Sequence, residues 1–297
     1  MTLSSFSLPP RRDSLDLAAI RVSRGDFAGQ RLLALETSGD YLSVAVAHGD
    51  QLFSYHQPAP QEHSGAILTV IHALLEQAEL APHALSCLAI GQGPGAFTAL
   101  RIGVACTQAL AWAWNKPYYA VSSLAILAAE MAAEISGISV ASASAAQEPV
   151  YFIPVFDARM GELYAAVYQE ASSGTNALQC VVAPSLMSPA DFPSWFCQYI
   201  HPGAVLYFSG SGVAKLDSQL SELQTHFPTM HILASALQPS ARQLVQLAVM
   251  AQGSWQHDPA KLEPLYVRNK VAQTVAERAA KGNPEYLGRP DLRQSQS

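Results

Sequence analysis

Leu32-Leu33-Ala34-Leu35-Glu36-Thr37-Ser38 is an apolar run that ends in turn chemistry. Tyr41 to Ala47 alternates, and Gln51 to His56 makes a third short strand after His48-Gly49-Asp50. Period-two patterning bounded by Gly, Asp and Ser reads as strand, so these residues form an antiparallel three-strand meander. The same signal returns later: Val150 to Phe156, a turn at Asp157-Ala158-Arg159-Met160-Gly161, then Glu162 to Gln169 and Leu178 to Ala183. Two meanders predict a duplicated α/β fold. The pattern fits two RNase-H-like lobes of the actin-like ATPase (ASKHA) superfamily, an analogy of architecture that leaves function open.

Between the meanders, Ile67, Leu68, Ile71, Leu74, Leu75 and Ala78 repeat at helical spacing and predict a helix over Gln61 to Leu80. Leu85 to Ile90 reads as a buried strand. Gly91-Gln92-Gly93-Pro94-Gly95-Ala96-Phe97-Thr98 is a glycine-rich loop, Thr98 suits a helix N-cap, and the helix runs to Trp114. Pro117 to Val121 is a further strand and Ser122 to Ile135 a further helix. The predicted organisation is an extension outside the core at 1–30, a first lobe at 31–136, a Ser/Ala-rich linker at 137–149, a second lobe at 150–275 and a tail at 276–297. Helices are expected near 189–199, 213–225 and 240–252, with a strand at 205–209.

Charge narrows the function. Charged residues make up 13% of the chain, about half the roughly 25% usual in soluble proteins. Such a chain is either unusually compact or covers apolar surface with a partner. Between Leu32 and Ala158 the cations are Arg101 and Lys116 against ten acids, leaving −8. A nucleic-acid surface needs several Lys or Arg to displace counterions, so this half is not one. From Lys261 onward the balance is +3, read as a solvated tail, with weak RNA contact as the sharper alternative. No stretch reaches the roughly 20 apolar residues of a membrane span, and the start, with Arg11, Arg12, Asp13 and Asp16 and no sustained apolar run, is not a secretory signal. Cys87, Cys106, Cys180 and Cys197 lie far apart without a CxxC pair, which reads as buried free thiols in a reducing cytoplasm.

Two features carry candidate chemistry. Glu36-Thr37-Ser38-Gly39-Asp40 reads either as a contact to phosphate or a metal-bound water through Glu36, or as an ordinary polar turn. Gly91, Gly93, Pro94 and Gly95 either expose amides at a helix start, an anion site in principle, or form a tight crossover where only glycine fits. Spacing alone leaves both readings open, and no Walker A lysine follows. The next helix is apolar nearly all round, through Leu100, Ile102, Val104, Ala105, Cys106, Ala109, Leu110, Ala111, Trp112 and Ala113. A surface helix is apolar on one face, so this one is covered on both. The helix from Gln61 supplies part of that cover, and the remaining face argues for a protein partner. No HExxH, HxxxH or GxSxG is present, and Asp157, Arg159 and Glu162 read as a turn-stabilising ion-pair set.

Five strings in order resemble the TsaB (YeaZ) family: Leu33 to Ser38; Glu62-His63-Ser64; Gly91-x-Gly93-Pro94-Gly95-x-Phe97-Thr98-x-x-Arg101-Ile102-Gly103; Asp157 to Tyr164; and Glu263 to Asn269. The resemblance covers Arg31 to Ala276. It implies a non-catalytic subunit that pairs with its paralogue TsaD and the ATPase TsaE in making N6-threonylcarbamoyladenosine on tRNA. tRNA is then met only through the complex, and the chain alone forms a homodimer. Pairing through the first two long helices places His63, Ile67, Leu68, Ile71, Thr98, Arg101, Ile102 and Ala105 at the interface, which would bury roughly 2,000 Å² or more. The paralogue's metal-binding HxxxH is replaced by Ser123 and Leu127. No cofactor or metal is expected, with nucleotide at the subunit interface left open. Departures are Gln92, Ala96 and Ala99, the last adding a Cβ where a glycine is common. The rival readings are a lone actin-like ATPase or sugar kinase and a glycoprotease-like metallopeptidase.

Overall fold

The computed structural model describes residues 15–58, 63–137, 148–170, 178–201, 203–233 and 237–267. A six-stranded sheet has the order β1-β4-β3-β2-β5-β6. Its strands are β1 (Arg21–Arg24), β2 (Leu32–Glu36), β3 (Tyr41–His48), β4 (Gln51–Pro58), β5 (Cys87–Gly91) and β6 (Tyr118–Val121). The second sheet runs β11-β10-β7-β8-β9. Here β7 is Val150–Arg159, β8 Glu162–Glu170, β9 Leu178–Met187, β10 Val205–Ser209 and β11 Met230–Ile232.

In each sheet the meander is antiparallel and the two later strands join it in parallel beside its first strand. Setting β1 aside, both sheets share one order: third, second, first, fourth, fifth strand. That repeated topology is the pair of RNase-H-like lobes of the actin-like fold.

Strand alternation sorts each sheet's side chains to two faces. Leu33 and Leu35 of β2 face helices α1 (His63–Gln77) and α2 (Phe97–Trp114), against Ile67, Val70, Leu74, Leu100 and Val104. Leu32 and Ala34 face the other way, onto Ala241, Leu244, Val245 and Ala248 of α6 (Ala241–Met250). The second sheet packs one face on α4 (Phe192–Phe196) and α5 (Asp217–His226), through Phe192, Phe196, Leu220 and Leu223. Its other face meets Leu124, Leu127, Ala128 and Met131 of α3 (Ser123–Gly137).

The last helix of each lobe is therefore exchanged. α3 follows the first sheet and packs on the second, while α6 follows the second and packs on the first. Where the two helices meet, the Ser240 hydroxyl donates to Glu130, and Ser240 also caps α6 at the Gln243 amide. Burial raises the Glu130 carboxyl above the usual carboxylate range.

Several expectations need correction. Residues 21–24 form β1 against β4, and Phe27 is buried, so this part of the 1–30 extension belongs to the core. Residues 241–250, assigned to the second lobe, pack on the first because the apolar stripe of α6 matches the open face of that sheet. The helix expected near 189–199 is the short α4, and that expected over 213–225 divides into a 3-10 turn at Val213–Leu216 and α5. Cys180 and Cys197 are exposed; Cys87 is buried and Cys106 half-buried. Residues 138–147 of the linker and the 276–297 tail lie outside the described residues.

Candidate functional site

The glycine loop is a packing crossover. A Cβ at Gly91 would fall on the Glu36 carboxylate, one at Gly95 on the Ser38 backbone, and one at Gly103 on the Thr37 hydroxyl. The loop and the first turn of α2 press directly against the end of β2. Thr37 Oγ1 donates to the Ala99 carbonyl at 2.9 Å. Ala99 is buried against the chain's own turn, so its Cβ does not obstruct a partner. The Gly93–Pro94 peptide is cis.

Three of the loop's amides are taken. Gln92 N–H donates to Val121 O at 2.9 Å, Gly93 N–H to Ser123 Oγ at 3.2 Å and Ala96 N–H to Ser38 O at 2.6 Å. The helix starts at Phe97 with Ala96 at the N-cap position, so Thr98 lies inside the first turn and is not the cap.

Glu36 is buried, with Ser38 N–H donating to one carboxylate oxygen at 2.6 Å and Ser123 Oγ to the other at 2.9 Å. Burial raises its pKa, opposed by those hydrogen bonds. Asp157 is held below the usual carboxylate range: burial opposes this, but Lys215 at 2.7 Å and the Arg159 amide win. Arg159 also reaches across the lobes to Asp40 at 3.9 Å, so the expected ion-pair set is wider than one turn.

An actin-like fold implies a nucleotide between the lobes. Here the glycine loop carries no lysine, three of its amides are bonded internally, and the cations at the facing turns, Arg159 and Lys215, are paired with Asp40 and Asp157. A phosphate chain needs free donors and unpaired positive charge, and here both cations are already engaged by carboxylates, so the residues fit one poorly. Among the described residues no group of three or more His, Cys, Asp or Glu is placed to hold a metal ion. Ser123 and Leu127 are fully buried, one on Glu36 and the other in the α3 core.

The outer face of α2 is different. Phe97, Thr98, Arg101, Ala105, Ala109, Trp112 and Ala113 are exposed in a stripe at helical spacing, with Trp112 69% exposed and Phe97 51%. The middle is alanine and the ends are aromatic. The Arg101 guanidinium lies over the Phe97 ring, 3.6 Å from its centroid, and Arg101 Nε donates to Tyr266 OH at 2.8 Å. Tyr266 is brought there by a segment that runs along α2. Gln108 Nε2 donates to Pro259 O at 2.8 Å, Leu262 is buried, and Leu265 N–H donates to Gln92 O at 2.7 Å.

Of the expected interface residues, Thr98, Arg101 and Ala105 are exposed, Ile102 is half-buried and Leu68 is 37% exposed. Ile67 and Ile71 are 1% and 3% exposed: spaced four apart, they share the face of α1 that packs on the sheet. They cannot be the centre of an outer surface. His63 begins α1, and its side chain lies outside the described residues. Sequence reading singled out neither Phe97 nor Tyr266; their signal is the i, i+4 pairing of Phe97 with Arg101 and the tyrosine within Glu263 to Asn269.

Fold and site together define an actin-like two-lobed protein whose facing turns pair their cations with carboxylates and whose first lobe exposes a helix face. A family model described as "TsaD: tRNA N6-adenosine threonylcarbamoyltransferase" matches residues 57–276. The tRNA threonylcarbamoyladenosine biosynthesis protein TsaB of Bacillus subtilis is 34% identical over 139 residues, which is 46% of this chain and 55% of that protein. Its Escherichia coli counterpart is 31% identical over 144 residues, 48% and 57% of the two chains. The match thus spans little more than half the length of these curated relatives. The solved structure of YeaZ from Pseudomonas aeruginosa is 28% identical with a TM-score of 0.63, covering 80% of this chain and 99% of that one. The chain belongs to the family that this model describes, and within it to the TsaB (YeaZ) branch.

Proposed function

We propose that this chain is a non-catalytic subunit in the synthesis of threonylcarbamoyladenosine on tRNA, pairing with a TsaD-type protein through the outer face of α2. One observation carries the reading: the exposed Phe97-Arg101-Ala105-Ala109-Trp112 stripe. Small residues at its centre let a second helix approach closely, and rigid aromatic and guanidinium groups at its ends are the residue types that dominate interface energetics. Leu68 of the neighbouring α1 extends the apolar face.

The names carried by the Bacillus subtilis and Escherichia coli relatives support the pathway. Buried Ser123 and Leu127 support the absence of catalysis, since the resemblance places the paralogue's two metal-binding histidines there. TsaE then joins the pair, the chain alone forms a homodimer through the same face, and tRNA is met through the complex in the cytoplasm. Nucleotide, where it takes part, binds at the subunit interface and not between the lobes.

The experiment is a reconstituted tRNA-modification assay with TsaD and TsaE, run with and without this chain. Threonylcarbamoylation that depends on the chain is expected. Unchanged modification in its absence, or ATP turnover by the chain alone, contradicts the reading.

A further inference from the structure

We propose that residues 15–30 are a built-in plug that occupies the edge of the first sheet and closes it to strand addition by another chain. β4 is eight residues long, Gln-Leu-Phe-Ser-Tyr-His-Gln-Pro, with no Asp, Glu, Lys or Arg. A long uncharged edge is a template for pairing with a second chain. β1 covers its first half, with Arg21, Val22, Ser23 and Arg24 opposite Ser54, Phe53, Leu52 and Gln51, and the turn before β1 packs beside Tyr55.

The plug is anchored on both faces of the sheet. Before β1, the 3-10 turn Leu17–Ala19 packs on the α1 side, where Ala19 is buried and Leu15, Leu17 and Ile20 add to the core containing Phe53 and Tyr55. After β1, Phe27 is buried on the α6 side beside Leu52. The Gly25 amide donates to Asp50 O at 3.0 Å, and a Cβ at Gly25 would meet the Phe27 ring at 2.7 Å. The chain therefore wraps the edge, and both ends hold the strand in register.

The edge that remains is a poor template. β1 has four residues, all exposed, with arginine at each end. Arg24 pairs with Asp50 at 3.4 Å and Arg21 bonds the Ala18 carbonyl at 3.1 Å. A short strand ending in charge is how natural sheets deter edge-to-edge pairing. The Gln51–Ser54 half of a long neutral edge has thus been exchanged for a short cationic one. This sealing is separate from association through α2, which lies on a face of the sheet and not at its edge.

Two full-length variants test it. Val22→Pro with Ser23→Pro removes an inward N–H whichever parity faces β4, because antiparallel pairing alternates, and it leaves the Phe27 anchor in place. Arg21→Val with Arg24→Val leaves the strand and makes its outer edge neutral. Amide exchange at Gln51–Ser54 is expected to rise at least about tenfold in the proline variant. Mass by light scattering is expected to climb with concentration in both variants beyond wild type, also when Ala105→Glu is added to block the α2 face. Unchanged exchange in the proline variant, or the wild-type mass profile in both variants, overturns the proposal.

Discussion

The guanidinium of Arg101 lies over one exposed ring and beside another, 3.6 Å from the centroid of Phe97 and 5.5 Å from that of Tyr266. Its Nε is spent on the Tyr266 hydroxyl, and its two terminal nitrogens make no hydrogen bond among the described residues. An arginine fixed this way presents a rigid fork that has already lost most of its rotamer freedom, which favours bidentate recognition of a carboxylate.

Arg101→Ala should therefore weaken pairing with a TsaD-type partner by about 2 kcal/mol, roughly thirtyfold in Kd. Arg101→Lys should lose nearly as much, because an ammonium lacks both the fork and the stacking plane. Tyr266→Phe should fall between these and wild type. Titration calorimetry checks the affinities, and all three variants should melt close to wild type because the cluster is exposed.

Glu36 sets a pH dependence of stability. Burial raises its folded pKa above the unfolded value, so the folded state holds the proton more tightly. Its contribution is fully present below the unfolded pKa and is lost as pH rises through the folded one. Glu36→Gln keeps an acceptor for the Ser38 amide, reverses the Ser123 contact so that the side-chain amide donates to the hydroxyl, and removes the titration. The variant should gain stability relative to wild type as pH rises from 4 towards 8, measured as the difference in urea midpoint. Asp157 works in the opposite sense: its pKa is depressed, so its contribution is present above the unfolded value and lost as pH falls through the folded one.

Gly91→Ala should destabilise the first lobe, because the added Cβ meets the buried Glu36 carboxylate. Overpacking of this kind costs about 1–3 kcal/mol, or roughly 2–10 °C in melting temperature. Gly39→Ala is the matched control. The nearest atom to its added Cβ is Gln238 Oε1 at 3.5 Å, an ordinary contact, so its melting temperature should stay within about 1 °C. Thermal scans of the two variants compare the positions directly.

How much of this was legible in the sequence depends on what decides each feature. The meanders were legible because period-two patterning acts locally: Leu33 and Leu35 face one core, Leu32 and Ala34 the other. The glycine loop was legible as a place of close backbone approach, but not as crossover against anion site. That choice rests on Glu36, Thr37 and Ser38, more than 50 residues away in sequence. In α1, periodicity marks an apolar stripe without saying what it meets, so Ile67 and Ile71 read as an outer surface although the sheet covers them. The exchange of α3 and α6 between lobes leaves no local trace, since an amphipathic helix serves either sheet equally well. β1 was missed because four residues with arginine at both ends carry too little apolar pattern to read as a strand.

Ala105 offers the most direct measurement of the central claim. It sits at the middle of the exposed stripe and is itself exposed, so Ala105→Glu should fold and melt like wild type. Co-purification with a tagged TsaD-type partner, scored beside the melting temperature, reads the interface alone. The expected result is loss of the complex at unchanged stability. A variant that still co-purifies in wild-type yield would show that the outer face of α2 is not where this chain meets its partner.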